Sequence, residues 1–199
     1  MIGTGHVVVA CDKFKGSLTA AGVAQAIRAG LADAAPDREV RAVLVADGGD
    51  GTLAAAESVG FAHVPVTVSG PTGLPVDSGY AVRAGTAVVE LADACGIVHL
   101  PRGGLAPLTA SSRGLGEVLR AALDREAELT EVVLGIGGSA STDGGAGMLA
   151  ALGARILDAD GHDLPDGVGA LARLHTLDLT GLHPRLRELL LTLASDVDN

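Results

Sequence analysis

Gly135-Ile136-Gly137-Gly138-Ser139-Ala140-Ser141-Thr142-Asp143-Gly144-Gly145-Ala146-Gly147 follows directly on the apolar run Val132, Val133, Leu134. Six of its thirteen residues are glycine, and without a Cβ the main chain can take positive φ and let another molecule come close. Ser139, Ser141 and Thr142 add hydroxyls, a mixture that suits an anion, above all a phosphate chain. Ala146 to Leu152 are good helix formers ended by Gly153, so the stretch reads as strand, loop, helix, with the anion expected at the helix N-terminus. A glycine-rich turn serving only tight packing would carry the same letters. The rest of the chain decides between them.

The 199 residues fall between one domain and two. Hydrophobic residues make up 48% and aromatics 2%, so the core must be built from Ala, Val and Leu in close helix-on-sheet contact, and the expected class is α/β. The formal charge is -10, with no basic run and almost no rings for base stacking, which argues against nucleic acid as a partner. The apolar run ending at Cys11 is too short for the core of a signal peptide, and no run reaches the roughly 18 residues of a membrane span. The expectation is no membrane and a cytoplasmic location. Cys11 and Cys95 are too few for a disulfide framework or a zinc site, and the six histidines lack ligand spacing. An acidic protein that binds an anion needs aimed cations, and the chain's only two lysines, Lys13 and Lys15, stand together.

Val7 to Ala10 reads as a buried parallel strand feeding the loop from Cys11 to Ser17. From Thr19, a natural N-cap, Val23, Ile27 and Leu31 recur at helical spacing until Pro36 stops them. Val40 to Leu44 is a second strand, followed by Ala46-Asp47-Gly48-Gly49-Asp50-Gly51-Thr52 and a short helix from Leu53 to Val59. In open α/β sheets ligands sit at the C-terminal ends of strands, where both lysines and both acids fall. Acids among glycines can hold Mg²⁺ through oxygen or accept a proton from a hydroxyl; a plain Gly-Asp turn is the alternative. Val64 to Val68 and Val76 to Val82 are extended segments joined by a turn, which breaks the βαβ rhythm and places a domain boundary near Ser69. Ala87 to Leu91 reads as a strand, and Thr109, Ser111 and Ser112 as caps for a helix from about Gly116 to Leu129. Ala154 to Leu157 is a strand after the glycine loop, and the leucine-rich remainder carries no clear chemistry.

Two phosphate signatures can be tested. The Walker pattern is absent, because no lysine lies near the glycine loop. Gly135-x-Gly137-x-x-Ala140 satisfies the relaxed dinucleotide fingerprint, with Asp158 about 20 residues on, so a dinucleotide oxidoreductase is one alternative and a non-catalytic nucleotide-binding module another.

Three segments together resemble the type I glycerate kinases: Asp12-Lys13-Phe14-Lys15-Gly16-Ser17-Leu18, Ala46 to Thr52, and Gly135 to Gly147 with Met148-Leu149. The resemblance spans the whole chain. It implies transfer of the γ-phosphoryl group of ATP to a hydroxyl of glycerate, with Mg²⁺, and leaves open which hydroxyl. It also implies a Rossmann-like domain (1–68) into which a second α/β domain (69–199) is inserted, incomplete at the C-terminus. On this reading Lys15, helped by Lys13, meets phosphate or the glycerate carboxylate, and Ser17, Gly137, Gly138, Ser139, Asp143, Gly144, Gly145 and Asp196 line the anion site. Asp47 and Asp50 bind Mg²⁺ or act as general base. The chain departs from the family at Arg113, where a tyrosine is frequent, and at Ser141-Thr142, where the family has Thr-Asn. Family members continue past Asp196-Val197-Asp198-Asn199, so the chain is expected to be an N-terminal portion without turnover of its own.

Overall fold

The computed structural model describes residues 5–14, 17–101 and 104–195. Lys15 and Asp196 therefore lie outside the described residues. The first unit is strand β1 (Val7–Cys11), helix α1 (Ala20–Ala34) and strand β2 (Val40–Leu44). β1 and β2 pair in parallel, from Val7 opposite Val40 to Cys11 opposite Leu44. Thr19 caps α1 as its sequence predicts: its backbone is extended and its hydroxyl oxygen accepts from the Gly22 N–H at 3.1 Å.

Helix α2 (Thr52–Ser58) leads into β3 (Ala62–Ser69), β4 (Pro75–Arg83), β5 (Thr86–Glu90) and the short helix α3 (Leu91–Cys95). Helix α4 (Arg113–Arg125), β6 (Glu131–Gly135), α5 (Ala146–Ala151), β7 (Arg155–Leu157), α6 (Val168–Leu171), β8 (Thr176–Asp178) and β9 (Leu190–Ala194) complete the order. Five strands form one mixed sheet in the order β3-β4-β5-β6-β9. The expected hairpin is present, with β3 and β4 antiparallel from Ala62 opposite Val82 to Ser69 opposite Pro75. β3 thus pairs with the later strands and not with β1 and β2, and the division expected at Ser69 coincides with the turn of that hairpin. Ala84 and Gly85, both at positive φ, close the β4–β5 hairpin.

β5, β6 and β9 run parallel, so their C-terminal residues Glu90, Gly135 and Ala194 lie side by side. One face of the sheet packs on α4 through Val68, Tyr80, Val89, Leu115, Val118 and Val132, all buried. The other face receives α2 through Leu53 and Ala56 against Ala81 and Val88. Small side chains permit this approach: a Cβ on Gly116 of α4 would stand 2.7 Å from the Ala151 Cβ of α5. α4 begins three residues earlier than its hydrophobic stripe predicts, because Ser112 already directs its N–H and hydroxyl to Asp143.

The dinucleotide reading does not survive this topology. Its acid should end a parallel strand beside the glycine loop, but β7 pairs antiparallel with β8 in a separate two-stranded sheet. Asp158 instead accepts from the N–H groups of Asp160 and His162 in its own turn.

Candidate active site at the ends of the parallel strands

Two glycine loops meet above the C-terminal ends of β5, β6 and β9. The Gly137 N–H donates to the Gly48 carbonyl oxygen at 3.0 Å. A Cβ on Gly137 would stand 2.6 Å from Gly49 Cα, and one on Gly135 would stand 2.8 Å from the Gly48 oxygen. Gly48 itself, at φ +93°, lies so close to the carbonyl of Ala194 that no side chain fits. These glycines are therefore required by the approach of backbone to backbone. Loop one is Ala46 to Thr52, and loop two begins at Gly135.

Gly138, at φ +74° and exposed, faces Oδ1 of the half-buried Asp50. Lys13 reaches the same place: its ammonium donates to the Asp50 carbonyl oxygen and lies 4.0 Å from Asp12 Oδ1, with the side chain only 16% exposed. Asp47 is exposed, and its Oδ1 accepts from the Gly49 N–H at 3.0 Å. Lys13, Asp47, Asp50, Gly137 and Gly138 thus lie together where the two loops meet. Asp47 and Asp50, like Asp12 beside Lys13, offer hard oxygen donors of the kind Mg²⁺ prefers. Ser17 is exposed, and its hydroxyl closes a turn by donating to the Phe14 carbonyl.

The remainder of loop two is organised from within. Ser139 Oγ accepts from the Ser141 N–H at 3.0 Å and lies 2.9 Å from Ser141 Oγ, while the Ala140 N–H donates to the Cys95 carbonyl. The Ile97 N–H donates to the Gly138 carbonyl at 3.1 Å and holds this rim to the segment after α3. Gly144 and Gly145, at φ +60° and +83°, form the far rim, where a Cβ on Gly144 would meet nothing.

Asp143 is placed differently from its expected role in anion binding. It is 2% exposed, and Oδ2 accepts from Ser112 N–H at 2.9 Å, Ser112 Oγ at 3.0 Å and Gly147 N–H at 3.1 Å, while Oδ1 accepts from Gly145 N–H at 3.1 Å. The Met148 N–H is taken by Ser112 Oγ. The first donors of α5 are therefore occupied by the protein's own groups, and the helix N-terminus expected to receive a phosphate is already capped. Of the hydroxyls expected to cap α4, Ser111 does accept from the Arg113 N–H at 3.1 Å, whereas Ser112 is turned to Asp143. Arg113 forms a two-pronged ion pair with Asp166, at 2.6 and 2.8 Å.

Sequence reasoning missed Glu90. It is 6% exposed, and its two oxygens accept from the N–H groups of Gly51 (3.0 Å) and Leu53 (2.9 Å), so a carboxylate closes the start of α2 as Asp143 does that of α5. Burial pushes its pKa up, against the pull of the two backbone N–H groups, and Asp93 and Asp50 add to the rise. The signal available in sequence was an acid ending the apolar run Val88-Val89. A separate cluster, the half-buried Asp158 with the exposed Asp160 and His162, brings its ligand atoms within 4.8 Å of one another on the turn after β7, a spacing not evident from the histidines in sequence.

A family model described as the glycerate kinase family matches residues 7–199. The chain belongs to the glycerate kinase family. It is 42% identical over 196 residues to a glycerate kinase of Bacillus subtilis, covering 97% of this chain and 51% of that protein. It is 42% identical over 197 residues to the glycerate 2-kinase of Escherichia coli, with the same coverage. A crystal structure of a glycerate kinase 2 from Salmonella typhimurium LT2 superposes with a TM-score of 0.83 at 40% identity, covering 99% of this chain and 53% of that one. The chain therefore spans about half the length of these relatives. This glycerate kinase family member holds the two meeting loops at its strand ends.

Proposed function

We propose that this chain carries the phosphate-handling half of an enzyme that transfers the γ-phosphoryl group of ATP to a hydroxyl of glycerate. The observation that supports it is the meeting of Gly137 and Gly138 with Gly48, Asp50 and Lys13 at the ends of parallel strands, in a member of the glycerate kinase family. Phosphoryl transfer asks for positioning and charge neutralisation more than for covalent chemistry. Lys13, with Lys15 beside it in sequence, supplies positive charge for the phosphates or the glycerate carboxylate. Gly137, Gly138, Ser139, Gly144 and Gly145 let the phosphate chain approach the backbone. Asp47 and Asp50 are the residues that would hold Mg²⁺, which when bound neutralises phosphate charge; one of them accepts the hydroxyl proton as the oxygen attacks. Asp143 acts from below, by holding the loop.

A two-part division belongs to this proposal, moved from Ser69 to before Ala62 because β3 pairs with β4. No helix among the described residues is long and apolar enough to cross a membrane. A cytoplasmic site of action is part of the same reading, as are ATP and glycerate as its small-molecule partners. Titration of the 199-residue chain, and of a full-length relative, with Mg–ATP, NAD⁺ and glycerate, followed by an assay of ATP consumption, tests it. Binding of Mg–ATP without NAD⁺, with glycerate-dependent turnover in the full-length protein, is expected. NAD⁺ binding in place of ATP would overturn the reading, and binding without turnover in the full-length protein would favour a non-catalytic module.

A further inference from the structure

Glu90 stands at the junction of the two loops. It ends β5 directly opposite Gly135, the first residue of loop two, while its carboxylate holds the Gly51 and Leu53 N–H groups at the end of loop one. Between those two N–H groups lies Thr52, whose hydroxyl donates to the Gly49 carbonyl at 2.7 Å. Gly51 is at φ +99°, a backbone conformation that side chains rarely adopt, in the turn that carries Asp50. We propose that Glu90 is the positioning residue that ties the Ala46–Thr52 loop to the strand bearing the glycine loop, and thereby sets the place of Asp50 and Lys13 in the anion cleft. The role rests on the functional reading above and adds to it a residue that touches no substrate. A carboxylate is required because two backbone donors point at it from one side: a carboxamide can accept from one and must turn an N–H₂ group toward the other.

The test compares the 199-residue chain with Glu90→Gln and, as a control, Glu117→Gln, a carboxylate that holds the Ser69 N–H and hydroxyl on the outer hairpin. Amide hydrogen exchange is read at Gly51 and Leu53, and Mg–ATP is titrated while the Gly137 and Gly138 amides are followed by NMR. In the unmodified chain Gly51 and Leu53 should be protected. E90Q should expose at least one of them, move the Gly137 and Gly138 signals and weaken Mg–ATP about tenfold or more, whereas E117Q should lower thermal stability and leave affinity within twofold. Free exchange of both amides in the unmodified chain overturns the clamp whether or not E90Q folds. Unchanged affinity in a folded E90Q, or an equal loss in E117Q, overturns the positioning role. If the unmodified chain binds no Mg–ATP, the functional reading fails and Glu90's assigned role in the cleft falls with it, while the amide exchange still decides the clamp.

Discussion

The N–H of Gly137 donates to the carbonyl oxygen of Gly48 across 3.0 Å, joining two loops whose residues are 89 apart in the chain. Neither loop closes a site alone. The approach leaves no room for a Cβ on Gly135 or Gly137, while the Ala194 carbonyl of β9 excludes one on Gly48, so these glycines answer to the meeting of three backbone segments.

Gly137→Ala should therefore act as an overpacking change, because its methyl would meet Gly49 Cα at 2.6 Å, and backbone cannot swing aside as a side chain can. A loss of about 1–3 kcal/mol is expected in urea unfolding, together with weaker Mg–ATP binding. Gly144→Ala has open space around it, so it should show only the cost of positive φ, about 1 kcal/mol. Equal losses from the two would show that the loops do not meet as described.

Asp143→Ala should be among the most destabilising single changes in the chain. It strands the buried N–H groups of Ser112 and Gly147, at roughly 1–3 kcal/mol for each buried donor left unpaired, and the part-buried N–H of Gly145. Asp47→Ala, on an exposed side chain, should cost under about 1 kcal/mol while lowering metal-dependent ATP affinity. Chemical denaturation of both variants checks the order; a mild Asp143→Ala would contradict its role as the loop's internal anchor.

Lys13→Met removes an ammonium that joins loop one at the Asp50 carbonyl. In a full-length relative carrying this segment, kcat should fall about 10²-fold if that charge meets the transferring phosphoryl group, with Tm shifted by no more than a few degrees. Steady-state kinetics with ATP and glycerate decide. An unchanged kcat would leave Lys13 a loop tether alone.

Cys95 is fully buried, and burial pushes its thiol up to about 11. The folded state thus keeps a proton that the unfolded state gives up from about pH 9, so stability should fall as pH rises through the window between 9.0 and about 11. The loss should be on the order of 2–3 kcal/mol once that window is crossed, and Cys95→Ser or Cys95→Ala should flatten this part of the profile. In native protein at pH 8 a thiol reagent should modify the half-buried Cys11 and spare Cys95. Two reactive thiols without denaturant would contradict the burial.

Local patterns and long-range contacts divided what could be known beforehand. Thr19 and Pro36 bound α1, Val40 to Leu44 alternates as a strand, and the turn at Gly70 to Leu74 gives the hairpin, because caps, breakers and period-two alternation act between residues close in sequence. The glycine-rich stretches Ala46 to Thr52 and Gly135 to Gly147 were legible as loops for the same reason: each motif is continuous. The partner of a buried polar group is not written locally. That Asp143 caps α5 from beneath and that Glu90 closes α2 follow from donors and acceptors brought together across 31 to 39 residues. In a buried setting each of those donors had to find an acceptor. The sequence by itself determined β1, α1, β2, the β3–β4 hairpin and the two glycine loops; only the tertiary structure decided that the Asp47 carboxylate stays exposed while those of Glu90 and Asp143 are buried against backbone N–H groups.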